Sequence, residues 1–293
     1  MRVFLTGATG FIGSRIIPEL INAGHQVLGV TRSEAGDQIL RAAGAEVHRG
    51  DLNDLDSLRR GAAKADGVIH CAFNHDFSKF QENCEQDKRV IEAIGEVLLG
   101  SNRPLLITSG TGLGNSVPGQ LASEDFFDPN HPIPRKSETA GAALLERGVN
   151  VTVVRLPQVH DPVKQGLITY AVDIARAKGV SAYVGEGQNR WPAVHVLDAA
   201  RVYRLALEKA KAGSRYNAVA EEGVTVREIA EALGRGLNVP VVSLTPAQAQ
   251  AHFGWLAMFA GLDMPASSAL TRERLGWHPS GPGLIEDLNA MKY

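Results

Sequence analysis

Short, nearly continuous apolar runs alternate along this chain with longer segments whose apolar positions recur at helical spacing. The first run, Val3-Phe4-Leu5, precedes a helix-patterned segment from Phe11 to Ala23, closed by Gly24, and a second run from Gln26 to Thr31. The series continues with a helix around Gln38 to Ala43, a strand Glu46-Val47-His48, a helix Leu55 to Ala63 and a strand Gly67-Val68-Ile69-His70. A long helix inside Phe80 to Leu99, a strand from Pro104 to Thr108, a helix near Thr139 to Arg147 and a strand from Val151 to Leu156 complete it. Strands that are apolar throughout need cover on both faces, so the pattern predicts an α/β fold with a doubly wound parallel sheet. Right-handed crossovers then place a ligand at the carboxyl ends of the strands.

After Leu156 the regularity loosens into Pro157 to Pro162, a helix near Leu167 to Lys178 and a loop from Gly185 to Pro192. Ala193 to Val196 and the helix Asp198 to Ala210 read as a return to the main sheet, and Val239 to Leu244 as a later strand among short helices. This organisation predicts a dinucleotide-binding domain from residues 1–156 plus 192–215. A smaller, mostly helical substrate-binding region is expected from 157–191 plus 216–293. Pro18 lies inside the first helix, where it removes an N–H and crowds the Ser14 carbonyl, and a kink is expected there.

The connection between the first strand and the first helix is Thr6-Gly7-Ala8-Thr9-Gly10-Phe11-Ile12-Gly13. In a strand-turn-helix setting, Gly7 permits the tight turn, Gly10 admits a pyrophosphate to the backbone, and Gly13 lets the helix sit close to the sheet. The helix N-terminus adds unpaired N–H groups and partial positive charge. The spacing therefore predicts a dinucleotide cradle. Thirty basic against thirty-two acidic residues among 293 give a net charge of −2 with no block of one sign, which argues against nucleic-acid or membrane partners. The strand and cradle occupy the N-terminus and no apolar run has membrane-spanning length, so a cytoplasmic protein is expected. Cys71 and Cys84 form no CxxC, and neither a disulfide nor a metal site is expected.

These residues resemble the extended short-chain dehydrogenase/reductase superfamily, whose phosphate loop TGxxGxxG matches Thr6 to Gly13. Further matches are Gly50-Asp51-Leu52, His70-Cys71-Ala72, Thr108-Ser109, Arg155-Leu156-Pro157-Gln158-Val159, Val194 to Asp198 and Arg274 to Pro279. The resemblance covers nearly the whole chain and implies a Rossmann fold for the dinucleotide-binding domain. It implies that Asp51 contacts adenine and that Ala72, Thr108 and Pro157 to Val159 line the path from adenosine to nicotinamide. With them, Thr9, Phe11, Ile12, Leu52 and Phe73 are taken as cofactor-lining residues. The family's Tyr-x-x-x-Lys pair has no counterpart: the first tyrosine is Tyr170, Pro134 and Glu138 fall on the two positions, and Gly110 falls on the catalytic Ser. The chain is similar in this respect to atypical subgroups of the superfamily.

Arg32, in Thr31-Arg32-Ser33 after the second strand, fits a 2′-phosphate and favours NADP(H) over NAD(H). The alternative is an exposed Arg32 with Glu34 reaching the ribose. His160, Ser109 and Thr111 are the candidate proton donors in place of the tyrosine. Lys164, Asn189, Arg190, Trp191 and His195 are candidate substrate-binding residues, with Arg190 as an anion clamp and Trp191 as an apolar wall. The reading is an NADP(H)-dependent oxidoreductase acting on a small carbonyl compound, with a homodimer compatible with the sequence. A nucleotide-sugar epimerase or dehydratase and a non-catalytic NADP(H) sensor are the alternatives.

Overall fold

The computed structural model describes residues 1–117 and 119–293. In chain order the elements are β1 (Arg2–Thr6), α1 (Gly13–Asn22), β2 (Gln26–Thr31), α2 (Glu34–Ala42), β3 (Glu46–Arg49), α3 (Leu55–Ala62), β4 (Gly67–His70), α4 (Phe80–Leu98) and β5 (Leu105–Gly110). Then come α5 (Ser137–Glu146), β6 (Val151–Leu156), β7 (Gln158–His160), α6 (Ile168–Lys178), β8 (Ser181–Val184), β9 (Arg190–His195), α7 (Val196–Lys209) and β10 (Arg215–Asn217). The chain finishes with β11 (Glu221–Thr225), α8 (Val226–Leu237), β12 (Val241–Leu244), α9 (Pro246–Phe253), α10 (Ala257–Ala260), α11 (Ala269–Leu275) and α12 (Leu284–Ala290).

Seven parallel strands form the main sheet in the order β10-β6-β5-β4-β1-β2-β3, so the strand order reverses between β1 and β4. This is the doubly wound Rossmann arrangement. Because successive side chains of a strand point to opposite faces, Val3 and Leu5 enter one core with Ile16, Ile17 and Leu20 of α1 and Val202, Tyr203 and Ala206 of α7. Phe4 enters the other core, with Leu58 of α3, Val90, Ile91 and Ile94 of α4, and Leu144 of α5. Leu106 and its neighbours Leu105 and Ile107 divide in the same way. The apolar runs are strands because both faces are covered.

The helix ends follow local chemistry. α1 closes where Gly24, at φ +82°, lets its own N–H reach Ile21 O at 2.9 Å and the His25 N–H reach Leu20 O at 3.0 Å. The helix runs unbroken through Pro18, which lies on the exposed face. Ser33 caps α2 by accepting from Gly36 N at 3.1 Å, and Thr225 with Glu228 forms a capping box on α8.

The region read as irregular is more ordered than the pattern suggests, and it differs from the reading at one strand. β9 does not return to the main sheet: it pairs in parallel with β7, at Gln158↔Ala193 and His160↔His195, and antiparallel with β11. α7 and β10 make the return instead. An apolar run reveals that it is a strand but not which edge it joins. β8 and β12 form a separate parallel pair. Among the described residues no helix is long and apolar enough to cross a membrane.

Arg155 of β6 is completely buried and would be intolerable alone. Its Nε and Nη2 donate to the two carboxylate oxygens of Glu138 at 2.7 and 2.8 Å, and Nη1 and Nη2 also donate to the carbonyls of Ser123 and Phe126. Arg215 of β10 adds a bond to Glu138 at 2.8 Å. Burial pushes the Glu138 carboxyl up, but Arg155 and then Arg215 more than reverse it and hold it below the usual range. Removing one member strands the others, so Glu138→Gln should lower the unfolding free energy by about 3–5 kcal/mol. Urea titration checks this; a loss below about 1 kcal/mol would show that the pair is not the tie between α5, β6 and β10.

Candidate active site

The cradle lies at the reversal point of the sheet, where the crevice of a doubly wound fold opens. Gly7 has φ +69°, and a Cβ there would meet Ala72 N at 2.8 Å; a Cβ on Gly13 would lie 2.1 Å from Gly7 O. Gly10 differs: a Cβ would touch Gly7 O at 3.0 Å and would otherwise enter open space. The turn bonds run from Gly10 N to Gly7 O, Ser14 N to Gly10 O, and Arg15 N and Ile16 N to Ile12 O. The amides of Phe11, Ile12 and Gly13 take no partner among the described residues. Those donors at a helix start, beside an open glycine, fit a dinucleotide pyrophosphate.

At the β2 and β3 end, the Arg32 side chain is 80% exposed and its Nη1 stands 3.6 Å from Asp51 Oδ2. Thr31 is buried, with its hydroxyl 3.4 Å from Ser33 N. Asp51 Oδ1 accepts from Asn53 N at 2.8 Å, and Leu52 is half-buried beside it. The structure thus gathers Arg32, Ser33, Asp51 and Leu52 on one side of the cradle. Thr9 is exposed and Phe11 and Ile12 are half-buried, packing on the core that contains Val159.

On the other side, a buried polar chain runs beneath the carboxyl ends of β1, β4 and β5. Ala72 N donates to Thr6 Oγ1 at 3.3 Å, and Thr6 Oγ1 is 2.7 Å from His70 Nδ1. His70 Nε2 is 3.1 Å from Asp87 Oδ1, while Asp87 Oδ2 accepts from Ser137 Oγ at 2.6 Å. Ser137 Oγ in turn accepts from Arg135 Nε at 2.6 Å, and Arg135 Nη2 donates to Thr108 O at 3.1 Å. Burial pushes the Asp87 carboxyl up, yet the Arg135 charge and the His70 and Ser137 hydrogen bonds bring it below the usual range. An ionised Asp87 accepts from His70, which places a proton on Nε2. Thr108 Oγ1 donates to His70 O at 2.8 Å and lies 2.7 Å from the Tyr203 hydroxyl. Burial raises the Tyr203 pKa well above 10, so this phenol stays protonated.

The three proposed proton donors fall in two places. Ser109 and Thr111, each 4% exposed, stand at the end of β5, and Ser109 Oγ is buried without a partner among the described residues. His160 is fully buried in β7; its Nδ1 lies 2.6 Å from Asp287 Oδ2 and its Nε2 has no partner among the described residues. His195 caps α7 by accepting from Leu197 N at 3.4 Å, with its ring 5.9 Å from that of His160. Pro157 is half-buried at the β6–β7 junction.

The remaining substrate candidates are spread out. Lys164 is exposed, with Nζ 5.9 Å from the centre of the Phe11 ring. It is placed there because Asp161 Oδ1 accepts from Val163 N and Lys164 N at 2.8 Å, and Asp161 pairs with Arg15 of α1 at 3.7 Å. Arg190 is instead already engaged: Nε and Nη2 donate to Asp263 at 3.0 and 2.8 Å, and Nη2 also reaches Gly119 O. Asn189 Nδ2 donates to the carbonyls of Ala260 and Leu262. Trp191 is 3% exposed in a core with Ile168, Ile229 and Leu284, rather than forming a wall.

The pattern reading missed Asp87, Arg135, Ser137 and Tyr203. Asp87 carried a signal, since it falls in phase with the buried α4 stripe of Cys84, Ile91, Ile94 and Leu98, where only a partnered carboxylate is tolerated.

Residues 3–219 match the family model described as the NAD dependent epimerase/dehydratase family. The chain belongs to that family. Two relatives extend over its full length: uncharacterized protein C2A9.02 of Schizosaccharomyces pombe is 49% identical over 295 residues, covering 100% of both chains. Uncharacterized protein YLL056C of Saccharomyces cerevisiae is 43% identical, covering 99% of this chain and 98% of its own. The crystal structure of human epimerase family protein SDR39U1 with NADPH has the same fold, with a TM-score of 0.73 at 20% identity, covering 100% of this chain and 99% of that one. More distant members of the epimerase/dehydratase family related to this chain include reductases, dehydratases and epimerases. Structures of the fold hold NAD or NADPH. The protein is thus a member of the NAD dependent epimerase/dehydratase family with the fold of those structures.

Burial lowers the His160 pKa, and the hydrogen bond and charge of Asp287 restore it only in part. A histidine whose folded pKa lies below its unfolded value of about 6.5 contributes fully above that pH, and the contribution is lost as the pH falls through the folded pKa. The unfolding free energy should therefore decline as the pH falls from about 6.5 through the lower folded pKa. In His160→Gln, which binds no proton, denaturant titrations across that range should show a shallower decline. Identical slopes would locate the acid sensitivity elsewhere.

Proposed function

We propose that the protein is an NADP(H)-dependent oxidoreductase that reduces a carbonyl group of a small molecule, with a proton donor other than the family's tyrosine. The observation that carries this reading is the continuity of the cradle with a polar floor: the open Gly10 turn adjoins Ala72 and Thr6, and the chain of bonds from Thr6 reaches Arg135 beside Thr108. In this reading residues 1–156 with 192–215 hold the cofactor and 157–191 with 216–293 cover the substrate. NADPH, when bound, supplies a hydride. The protein's part is to fix the two reactants at contact distance and to move one proton. A cytoplasmic enzyme without nucleic-acid or membrane partners belongs to the same reading.

An epimerase or dehydratase is disfavoured because those reactions lean on a tyrosine base. No tyrosine precedes Tyr170, and the Tyr203 phenol is sealed in the core with a raised pKa. The position of the family's lysine carries Glu138, which is consumed by Arg155 and Arg215. The sensor reading is favoured by one observation, the burial of His160, Ser109 and Thr111.

For the proton, the hydroxyls of Ser109 and Thr111 are better supported than His160, whose ring is enclosed between β9 and α12 and fastened to Asp287. A general acid contributes about a hundred- to ten-thousandfold. Ser109→Ala or Thr111→Val should lower kcat by that order with NADPH affinity intact, whereas His160→Gln should act mainly on stability. Full activity in both hydroxyl variants would remove β5 from proton transfer. Wild type that binds NADPH but reduces no carbonyl compound would leave the sensor reading.

Cofactor choice is tested separately. A guanidinium on a 2′-phosphate contributes roughly 1.5–3 kcal/mol, about ten- to a hundredfold in affinity. Arg32→Ala should weaken NADPH by that factor and leave NADH nearly unchanged in fluorescence titrations. Equal losses for the two cofactors would take Arg32 away from the phosphate.

A further inference from the structure

Arg135 belongs to no motif, yet it is the most deliberately held cation near the cradle. It lies just before α5, its side chain is 16% exposed, and one end of its fork is fixed by Ser137 Oγ and Thr108 O. Asp87 stands 3.8 Å from its Nε, and the guanidinium lies 4.0 Å over the Phe73 ring. Nη1 takes no partner among the described residues. A guanidinium is planar and always charged, so fixing one edge aims the other. The edge left over, Nη1 with the second Nη2 hydrogen, is the geometry that recognises a carboxylate in two-point fashion.

The surface beside it is aromatic. Phe73 meets His75 and Phe80 edge-on, at 5.5 and 6.3 Å. Phe77 lies 5.6 Å from Phe80, stacks on Trp255 at 4.5 Å and 7°, and meets Tyr170 edge-on at 5.8 Å. These rings come from the segment after β4, from the start of α4, from α6 and from the turn before α10. All but the exposed His75 are half-buried, so each keeps a face or edge for something else. Lys164, from the loop after β7, makes no ion pair among the described residues and stands over the cradle's Phe11. Arg135 lies over Phe73, which meets His75 edge-on, and the Lys164 charge acts on His75 as well, so cations from two loops face the segment after β4.

We propose that this surface is the substrate site and that it selects a carbonyl compound carrying a carboxylate and a flat apolar group. The carboxylate takes the free edge of Arg135 with the Lys164 charge in support, and the apolar group lies on Phe77, Tyr170 and Trp255. The chemistry rests on the oxidoreductase reading; the binding does not. Reduction converts the oxo acid to a hydroxy acid: a hydride passes from NADPH to the carbonyl carbon, a proton passes to its oxygen, and NADP+ leaves.

The test separates the two claims. Calorimetric titration of NADPH-loaded protein with 3-phenylpropanoate, its methyl ester and propanoate reads binding without turnover. Wild type should prefer the acid to the ester by about tenfold or more. Arg135→Gln should erase the preference, Arg135→Lys should keep part of it, and Lys164→Gln should narrow it a few-fold. Trp255→Ala should weaken 3-phenylpropanoate while leaving propanoate unchanged. Thermal unfolding and NADPH titration show whether each variant is folded, and if Arg135→Gln is not, the wild-type comparison together with Lys164→Gln and Trp255→Ala still decides. Equal binding of acid and ester by wild type, or binding of neither at about 10 mM, overturns the proposal. In the kinetic arm, phenylpyruvate should be reduced in preference to its ethyl ester. Reduction of the ester alone overturns the site. The predicted binding pattern without reduction of either compound upholds the site and overturns the oxidoreductase reading.

Discussion

The site depends on the chain passing itself more closely than any side chain allows. At Gly13 a Cβ would sit 2.1 Å from Gly7 O, and at Gly7 it would sit 2.8 Å from Ala72 N. Both contacts are with backbone, which cannot swing aside. Two hydrogens in place of two methyl groups therefore let α1 begin directly over the end of β1 and let β1 lie against the end of β4. That approach puts unpaired amides at the point where the strand order reverses. It also brings Ala72 N within reach of Thr6 Oγ1, which starts the polar chain below.

A second constraint governs the other half of the site. Asp87 is 3% exposed on the inner face of α4, where an unpartnered carboxylate would be prohibitive. His70, Ser137 and Arg135 stabilise its charge, and satisfying it locks β4, α4 and the start of α5 together. The same bonds hold the His70 ring and set the Arg135 guanidinium over Phe73. Arg155 and Glu138 do similar work one strand away, with both charges consumed inside the core. The contrast defines which cation is free: every guanidinium nitrogen of Arg155 is engaged, while Arg135 keeps an edge.

The main sheet was legible because its information is local. Each strand of β1 to β6 except the edge strand β3 announces itself by a run that fits cover on both faces, and Thr6 to Gly13 places the cradle within eight consecutive residues. Sheet membership beyond β6 was not legible, because Gln158 to His160 and Arg190 to His195 choose each other across the fold. The polar network was hidden for the same reason: Thr6, His70, Asp87 and Ser137 meet only after β1, β4, α4 and α5 have packed. Arg190 looked like a free clamp because Asp263, its partner, lies 73 residues further on. Asp87 alone left a trace, as an acid in phase with an apolar stripe.

The central claim is that a dinucleotide lies across the Gly7 to Gly13 turn. Gly10 is the position to change, since a side chain there would enter the space above the amides while meeting the protein only at Gly7 O. The direct measurement is a fluorescence titration of NADPH into wild type and Gly10→Val, with thermal unfolding of each as the control for folding. The account predicts saturable binding by wild type, and in the variant a loss of about a hundredfold or more with an unfolding temperature within a few degrees of wild type. Wild-type affinity in a folded Gly10→Val protein would contradict it.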